Sequence, residues 1–274
     1  MNMNPRLLYV LATAFAAGCA TTTGGGYYQD DGPHAHPPAD VDKVPDAVPR
    51  NEPLSRGGNK PYSVFGVGYR PLASAKGYRE RGVASWYGKK FHGHRTSNGE
   101  VYDMYAMTAA HKTLPLPSYA RVRNLNNGRS VIVRINDRGP FLENRLIDLS
   151  YAAAWKLGIL GTGTGIVEVE GLSGDEPVMT AAARAPEPEP APKTSAPRLY
   201  LQVGAFTSRD NAENLKDRLA RADFAPVHIQ SAQLDSTPLY RVRLGPLASV
   251  DETDRLAARV AAQGLPHPIV VVEQ

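Results

Sequence analysis

Hydrophobic positions are patterned in two parts of the chain and unpatterned elsewhere. In the first part, "RGVASWYG" reads as a strand, and "ARVRNLNNGRSVIVRIND" reads as two strands around a turn at Asn126, Asn127 and Gly128. Val131, Val133 and Ile135 alternate with Ile132, Arg134 and Asn136, which predicts a strand buried mainly on one face. "DLSYAAAWKLG" predicts a short helix with Ser150 as N-cap and Gly158 just past its end, and "GIVEVEGL" a last strand. A mostly-β unit of this size suits a small barrel better than a sandwich, and it is placed at residues 61–172. The second part, residues 198–274, begins with the strand "LYLQVGAF". A helix follows over "SRDNAENLKDRLARA", with Ala212, Leu215, Leu219 and Ala222 on one face. "APVHIQ" and "LYRVRLGPL" are strands. "SVDETDRLAARVAAQG" is a helix with Ser249 and Glu252 in capping-box spacing and Gly264 at its end, and "PIVVVEQ" closes the unit as a strand. The order is βαββαβ.

The remaining segments have no apolar periodicity. Residues 1–18 carry Arg6, an apolar run from Leu7 to Ala17 too short to span a bilayer as a helix, and small residues before Cys19; this is the pattern of a secretory signal peptide. Residues 19–60 are rich in Gly, Pro and Asp and predict a disordered tether, in which His34 and His36 are solvated linker rather than metal ligands. Residues 173–197, with "PEPEPAP", predict an extended, semi-rigid spacer.

Charge adds little to this picture until it is divided by unit. The 274-residue chain has a net charge of +4. From Arg79 to Glu170 there are 13 Lys and Arg against 8 Asp and Glu, a net +5, whereas residues 198–274 hold 9 of each and balance. A basic barrel suits an anionic partner. Its candidate chemistry lies in "TSNGEVYDMYAMTAAH", with Glu100, Asp103 and His111, and in "VIVRINDRGPF", where Asp137 ends an apolar strand. These groups suit catalysis, ligand binding or ordinary loop polarity. Partial burial at a strand end suits a carboxyl that moves a proton, with the adjacent Arg138 working against it. In the second unit two helices can cover only one face of a four-stranded sheet. The other face is expected to present Tyr200, Gln202, Phe206, Arg241 and Arg243, a set suited to sugar stacking, acetamido hydrogen bonds and carboxylate pairing. Exposed aromatics on such sheets also bind RNA, but the neutral charge and the missing RNP signature argue against nucleic acid.

Three features coincide: the lone Cys19 after small residues, the stretch "ASWYG…HGHRTSNGEVYDMYAMTAAHKTLPLPSYARVRN…VRINDRGPF…IDLSYAAAWKLG", and the C-terminal "YLQVGAFTSRDNAENLKDRL…YRVRLGPL". Together they resemble the rare lipoprotein A family of septal lytic transglycosylases. The resemblance implies a six-stranded double-psi β-barrel followed by a ferredoxin-like SPOR domain that binds glycan strands stripped of stem peptides. It implies cleavage of the MurNAc-β-1,4-GlcNAc bond to a 1,6-anhydro end, with no metal or cofactor. Glu100, Asp103 and His111 match the family's polar groove positions, with Asp103 a candidate to orient His111 or to bond a sugar hydroxyl and His111 a candidate to donate to an acetamido carbonyl or polarise a carboxyl, and related barrels place an acidic Asp where Asp137 stands. Cys19 resembles the lipidated cysteine of a lipobox, with Ala16 where Leu is usual, and Ala20 implies sorting to the outer membrane. The partners implied are denuded peptidoglycan, the membrane through the anchor, and septal proteins. The rival expectations are a glycan-binding protein of the same fold without activity, and a septal scaffold.

Overall fold

The computed structural model describes residues 31–174, 196–224, 226–265 and 267–273. The expected signal peptide, Cys19 and nearly all of the spacer lie outside the described residues. A hairpin of β1 (Tyr62–Val64) and β2 (Val67–Tyr69) precedes a closed barrel. The barrel strands are β3 (Arg79–Tyr87), β4 (Thr108–His111), β5 (Ser118–Asn124), β6 (Ser130–Asp137), β7 (Ile147–Ser150) and β8 (Gly165–Leu172). They close in the order β3-β7-β4-β6-β5-β8, with parallel pairs β3/β7 and β4/β6 and antiparallel pairs elsewhere. Val122, Val131, Val133, Ile135, Ile147, Leu149, Val167 and Val169 fill the interior, each at 0–1% exposure. Each such side chain stabilises the fold by about 1.5–3 kcal/mol, before the entropy of ordering the chain is counted.

The helix expected at "DLSYAAAWKLG" is α1 (Tyr151–Leu157). Ser150 Oγ accepts from the Ala153 amide, and Gly158 closes the helix at a φ of 73°. The residues before it, Ile147–Ser150, are not helical but form β7, buried on both faces. A four-residue run without alternation carries no strand period, which is why the pattern merged it with the helix.

The tether expectation needs correction for residues 31–60. Val41, in a short 3-10 turn, is 3% exposed against the barrel core. The Ala47 amide donates to the Ile132 carbonyl (3.0 Å), and the Ile132 amide donates to Asp46 Oδ2 (3.0 Å). Lys156 Nζ pairs with Asp46, and Arg134 grips Glu52 with two bonds of 2.8 Å. This segment covers the outward face of β6 at Ile132 and Arg134, and Asn136 on the same face donates to Glu100, so the one-sided strand expected there is two-sided.

The second unit contains β9 (Arg198–Phe206), α2 (Arg209–Arg221), β10 (Val227–Leu234), β11 (Thr237–Leu247), α3 (Val250–Ala262) and β12 (Ile269–Glu273). The antiparallel sheet runs β10-β11-β9-β12. Leu201, Val203, Val242 and Leu244 meet Ala212, Leu219, Ala257 and Val260 of the helices. Ser249 Oγ caps α3 by accepting from the Glu252 amide, while Glu252 reaches back to the Ala248 amide. A bulge opposite Val242 and Arg243 shifts the register of β9. Beyond it the side chains change faces. Phe206 therefore packs with Leu215 and the helix layer rather than on the open face where alternation placed it. Val83 and Ile166 of the barrel meet Leu199 and Val250 of this unit, and Arg145 pairs with Asp254 of α3 (2.5 Å).

Candidate active site

Asp137 stands at the C-terminal end of β6, half-exposed. Its Oδ1 accepts from the Ser97 amide (2.8 Å), Ser97 Oγ (2.6 Å) and the Arg138 amide (2.8 Å). Ser97 belongs to a turn that the sequence builds locally. The Gly99 amide donates to the Thr96 carbonyl, the Thr96 amide to the Glu100 carbonyl, and Gly99 takes a φ of 95° that a residue with a Cβ would resist. The turn projects Glu100 over β6, where its Oε2 accepts from Arg134 Nη1 (2.6 Å) and Asn136 Nδ2 (3.1 Å). The Arg134 hydrogen bond holds the Glu100 carboxyl below its usual range, against the opposing pull of burial, so it is an anion at neutral pH. Two segments far apart in sequence thus bring Glu100 and Asp137 to one rim of the barrel.

Asp103 and His111 do not join them through any contact among the described residues. Asp103 is exposed; its Oδ1 accepts from the Tyr105 amide (2.9 Å) and lies 3.7 Å from His92 Nδ1. It does not orient His111, contrary to the expectation from the sequence. His111 is 2% exposed, and its Nδ1 accepts from the Thr113 (3.1 Å) and Leu114 (2.9 Å) amides. The proton therefore sits on Nε2, facing Tyr78 Oη (2.9 Å), which donates in turn to Glu80 Oε2 (2.7 Å). Burial, with Arg138 and Lys112 nearby, pushes the imidazole down to about 3, so it stays neutral. Arg138 also turns away from a substrate role. Its guanidinium binds the carbonyls of Gly58, His111 and Leu114, stitching residues 58–59 to the end of β4.

One further carboxyl escaped the sequence reading. Ala110 of β4 is flanked by Asp137 on β6 and Asp148 on β7, and Asp148 is flanked in turn by Ser85 on β3. Asp137 and Asp148 thus sit in one row, two strand spacings or roughly 9–10 Å apart. Asp148 is 6% exposed and accepts from Ser85 Oγ (2.6 Å). Burial pushes it up to about 6, against the Ser85 hydrogen bond and Arg145, which pull it down; Asp31 and Asp137 add repulsion. A carboxylate in "IDLS" directly after an apolar residue was the available signal, masked because the run read as a helix start. Among the described residues no group of three or more His, Cys, Asp and Glu side chains could hold a metal ion.

On the open face of the second sheet, Tyr200, Gln202 and Arg241 are half-exposed. Arg243 is not available there as expected: it is 5% exposed and closed by an ion pair with Glu273.

Comparison with known proteins places these features. Residues 79–170 match the family described as lytic transglycolase, and residues 195–271 match the SPOR domain. Endolytic peptidoglycan transglycosylase RlpA of Vibrio cholerae is 44% identical over 96% of this chain and 95% of its own length. The protein of the same name from Pseudomonas aeruginosa is 45% identical over 85% of this chain and 82% of its own. The solved SPOR domain of Pseudomonas aeruginosa RlpA, 45% identical, covers 27% of this chain and 96% of that domain, with a TM-score of 0.26.

Proposed function

The chain belongs to the RlpA family of peptidoglycan lytic transglycosylases, and we propose that it cuts glycan strands already stripped of stem peptides, at the division septum, from a lipid anchor on Cys19. In this reading the muramic C6 hydroxyl attacks its own anomeric carbon. The C1–O4 bond breaks as the C1–O6 bond forms. Asp137 delivers a proton to the departing O4 and receives the proton of O6, so one carboxyl serves as acid and then base. Glu100, held anionic by Arg134, faces the positive charge that develops at the anomeric centre. The observation that carries the reading is the docking of the Thr96–Glu100 turn on Asp137 through Ser97, which brings two carboxyls to one rim of the barrel. Asp103 and His111 act outside the proton transfer, Asp103 as a rim contact and His111 as the support of the β4 end. Tyr200, Gln202 and Arg241 contact the glycan on the second unit. The anchor and the outer-membrane location rest on the signal pattern around Cys19 and on Ala20.

The test is mass spectrometry of products after the purified soluble chain meets peptide-free glycan strands, with a folded Asp137→Asn protein beside it. Anhydro-ended fragments from the parent alone are expected. Equal cleavage by both proteins would remove Asp137 from the chemistry. Reducing ends carrying an added water would replace transglycosylation by hydrolysis.

A further inference from the structure

The hairpin β1–β2 lies N-terminal to the matched barrel region and breaks a local rule. Its two-residue turn is Phe65-Gly66, with φ of 50° and 81°. Turns of this hand favour Asn-Gly, because the first position requires a left-handed backbone that a bulky side chain resists. Phe65 occupies that strained position and is 87% exposed, so its ring contributes nothing to the core. Such a conflict between local preference and structure marks a functional position more often than a packing one.

The rest of the hairpin is built to the same end. Alternation puts Tyr62, Val64, Val67 and Tyr69 on one face, with Ser63 and Gly68 on the other. The Tyr62 and Tyr69 rings stack at 5.1 Å, and Phe141 approaches them at 6.1 and 5.8 Å. Phe141 follows Asp137 by four residues in the same loop, which Gly139 turns at a φ of 137°. The Arg138 guanidinium lies 5.8 Å from the Tyr62 ring centre. The aromatic cluster is therefore continuous with the Asp137 rim. Beyond it opens a cavity of about 670 Å³ whose wall includes Phe65, Tyr69, Phe141 and Lys112.

We propose that this hairpin is a saccharide-binding element, with Phe65, Tyr69 and Phe141 stacking against pyranose rings of the strand a few sugars from the cleavage point. Pyranose rings present flat C–H faces to such surfaces; Lys112, whose Nζ donates to the Arg145 carbonyl (2.7 Å), lines the same wall beside Glu80 and Glu143 and keeps it polar for sugar hydroxyls. The proposal deepens the glycan-cleaving reading and rests on it.

The experiment uses the soluble full chain, peptide-free glycan strands as substrate, and phosphatidylglycerol vesicles as the competing surface. Phe65→Ser removes an exposed ring and leaves the core intact; Tyr69→Ala and Tyr69→Trp bracket the stacking surface. Phe65→Ser and Tyr69→Ala are expected to raise KM about threefold to tenfold, with a smaller change in kcat, while Tyr69→Trp retains the parental KM. Strand binding by an Asp137→Asn background is expected to weaken by the same factor. Unchanged KM and unchanged binding would overturn the subsite while leaving the cleavage reading intact. Weaker vesicle association with an unchanged KM would overturn it in favour of a membrane contact. A parent that neither cuts nor binds the strands would overturn both readings.

Discussion

Asp148→Asn isolates the electrostatics beneath the site. The native carboxyl is raised from 3.8 to about 6 by burial, a difference of about 2 units, or roughly 3 kcal/mol at about 1.4 kcal/mol per unit. The sign follows from proton counting. Below pH 4 both native and unfolded chains hold the proton, and the group contributes no difference. Between pH 4 and 6 the unfolded chain has lost the proton and the native chain keeps it, so rising pH favours unfolding. Above pH 6 the native state carries the full cost. The substituted amide retains an oxygen to accept from Ser85 Oγ and has no charge to bury. The variant should therefore be near parental stability at pH 4 and about 2–3 kcal/mol more stable at pH 7. Trp86 and Trp155 are the two tryptophans, and both lie in the barrel unit, so their fluorescence during urea unfolding reports that unit alone. Subtracting the two stability curves between pH 4 and 8 cancels the other titrating groups. A difference curve flat across the window would refute the reasoning. The same variant is expected to cut glycan at least about tenfold more slowly, as a buried charge retained at the expense of stability implies a demand from the site.

Three other outcomes follow from the contacts. Glu52 is held down to about 2, chiefly by its Arg134 hydrogen bond, so its stabilisation is present above pH 4.5 and lost as pH falls toward 2; Glu52→Gln should cost about 1–3 kcal/mol at pH 7 and flatten that acid slope in urea titrations. His111 should show the Nε2–H tautomer in nitrogen NMR from pH 8 down to 4, and a midpoint near 6.5 would contradict its burial. Ser97→Ala removes the 2.6 Å donor to Asp137 but keeps the backbone donor; kcat on peptide-free strands should fall about tenfold with little change in KM, and a parental kcat would show that Asp137 needs no such support.

The elements legible in the sequence are those whose physics is local. Ser150, Ser249 and Gly158 announced their helix ends because a cap is decided within four residues. The helical spacing of Ala212 and Leu219 follows from one buried stripe. Asp137 and Glu100 were legible as candidates, though nothing in their spacing foretold that Ser97 joins them. What escaped depends on distant partners. Residues 31–60 lack periodicity because they lie along a surface without forming regular structure; Asp46 and Glu52 find Lys156 and Arg134, which are 110 and 82 residues away. Phe206 was misplaced by a single bulge, and Arg243 by an ion pair with Glu273 at the far end of the unit. His111 is a satisfied histidine because the Thr113 and Leu114 amides fold back onto it, which no composition reveals.

The docked segment changes what the proposed anchor at Cys19 would do to the barrel. A chain disordered through residue 60 would let the barrel wander far from its membrane. With Asp31 fixed by the Gly88 and Lys90 amides, the proposed anchor at Cys19 would hold the barrel within the contour length of the residues between Cys19 and Asp31, at most about 40 Å. The same segment reaches the site. Glu52 and Glu100 share the Arg134 guanidinium, and the Gly58 carbonyl and Asn59 side chain hold Arg138, the neighbour of Asp137. Pulling this segment off would release Arg134 from Glu52 and Arg138 from Gly58 and Asn59 together. Lengthening the chain before Asp31 leaves these contacts alone, whereas a deletion within residues 46–59 breaks them. Residues 31–60 are thus part of the same folded unit as the barrel, and their contacts reach the neighbours of both Glu100 and Asp137.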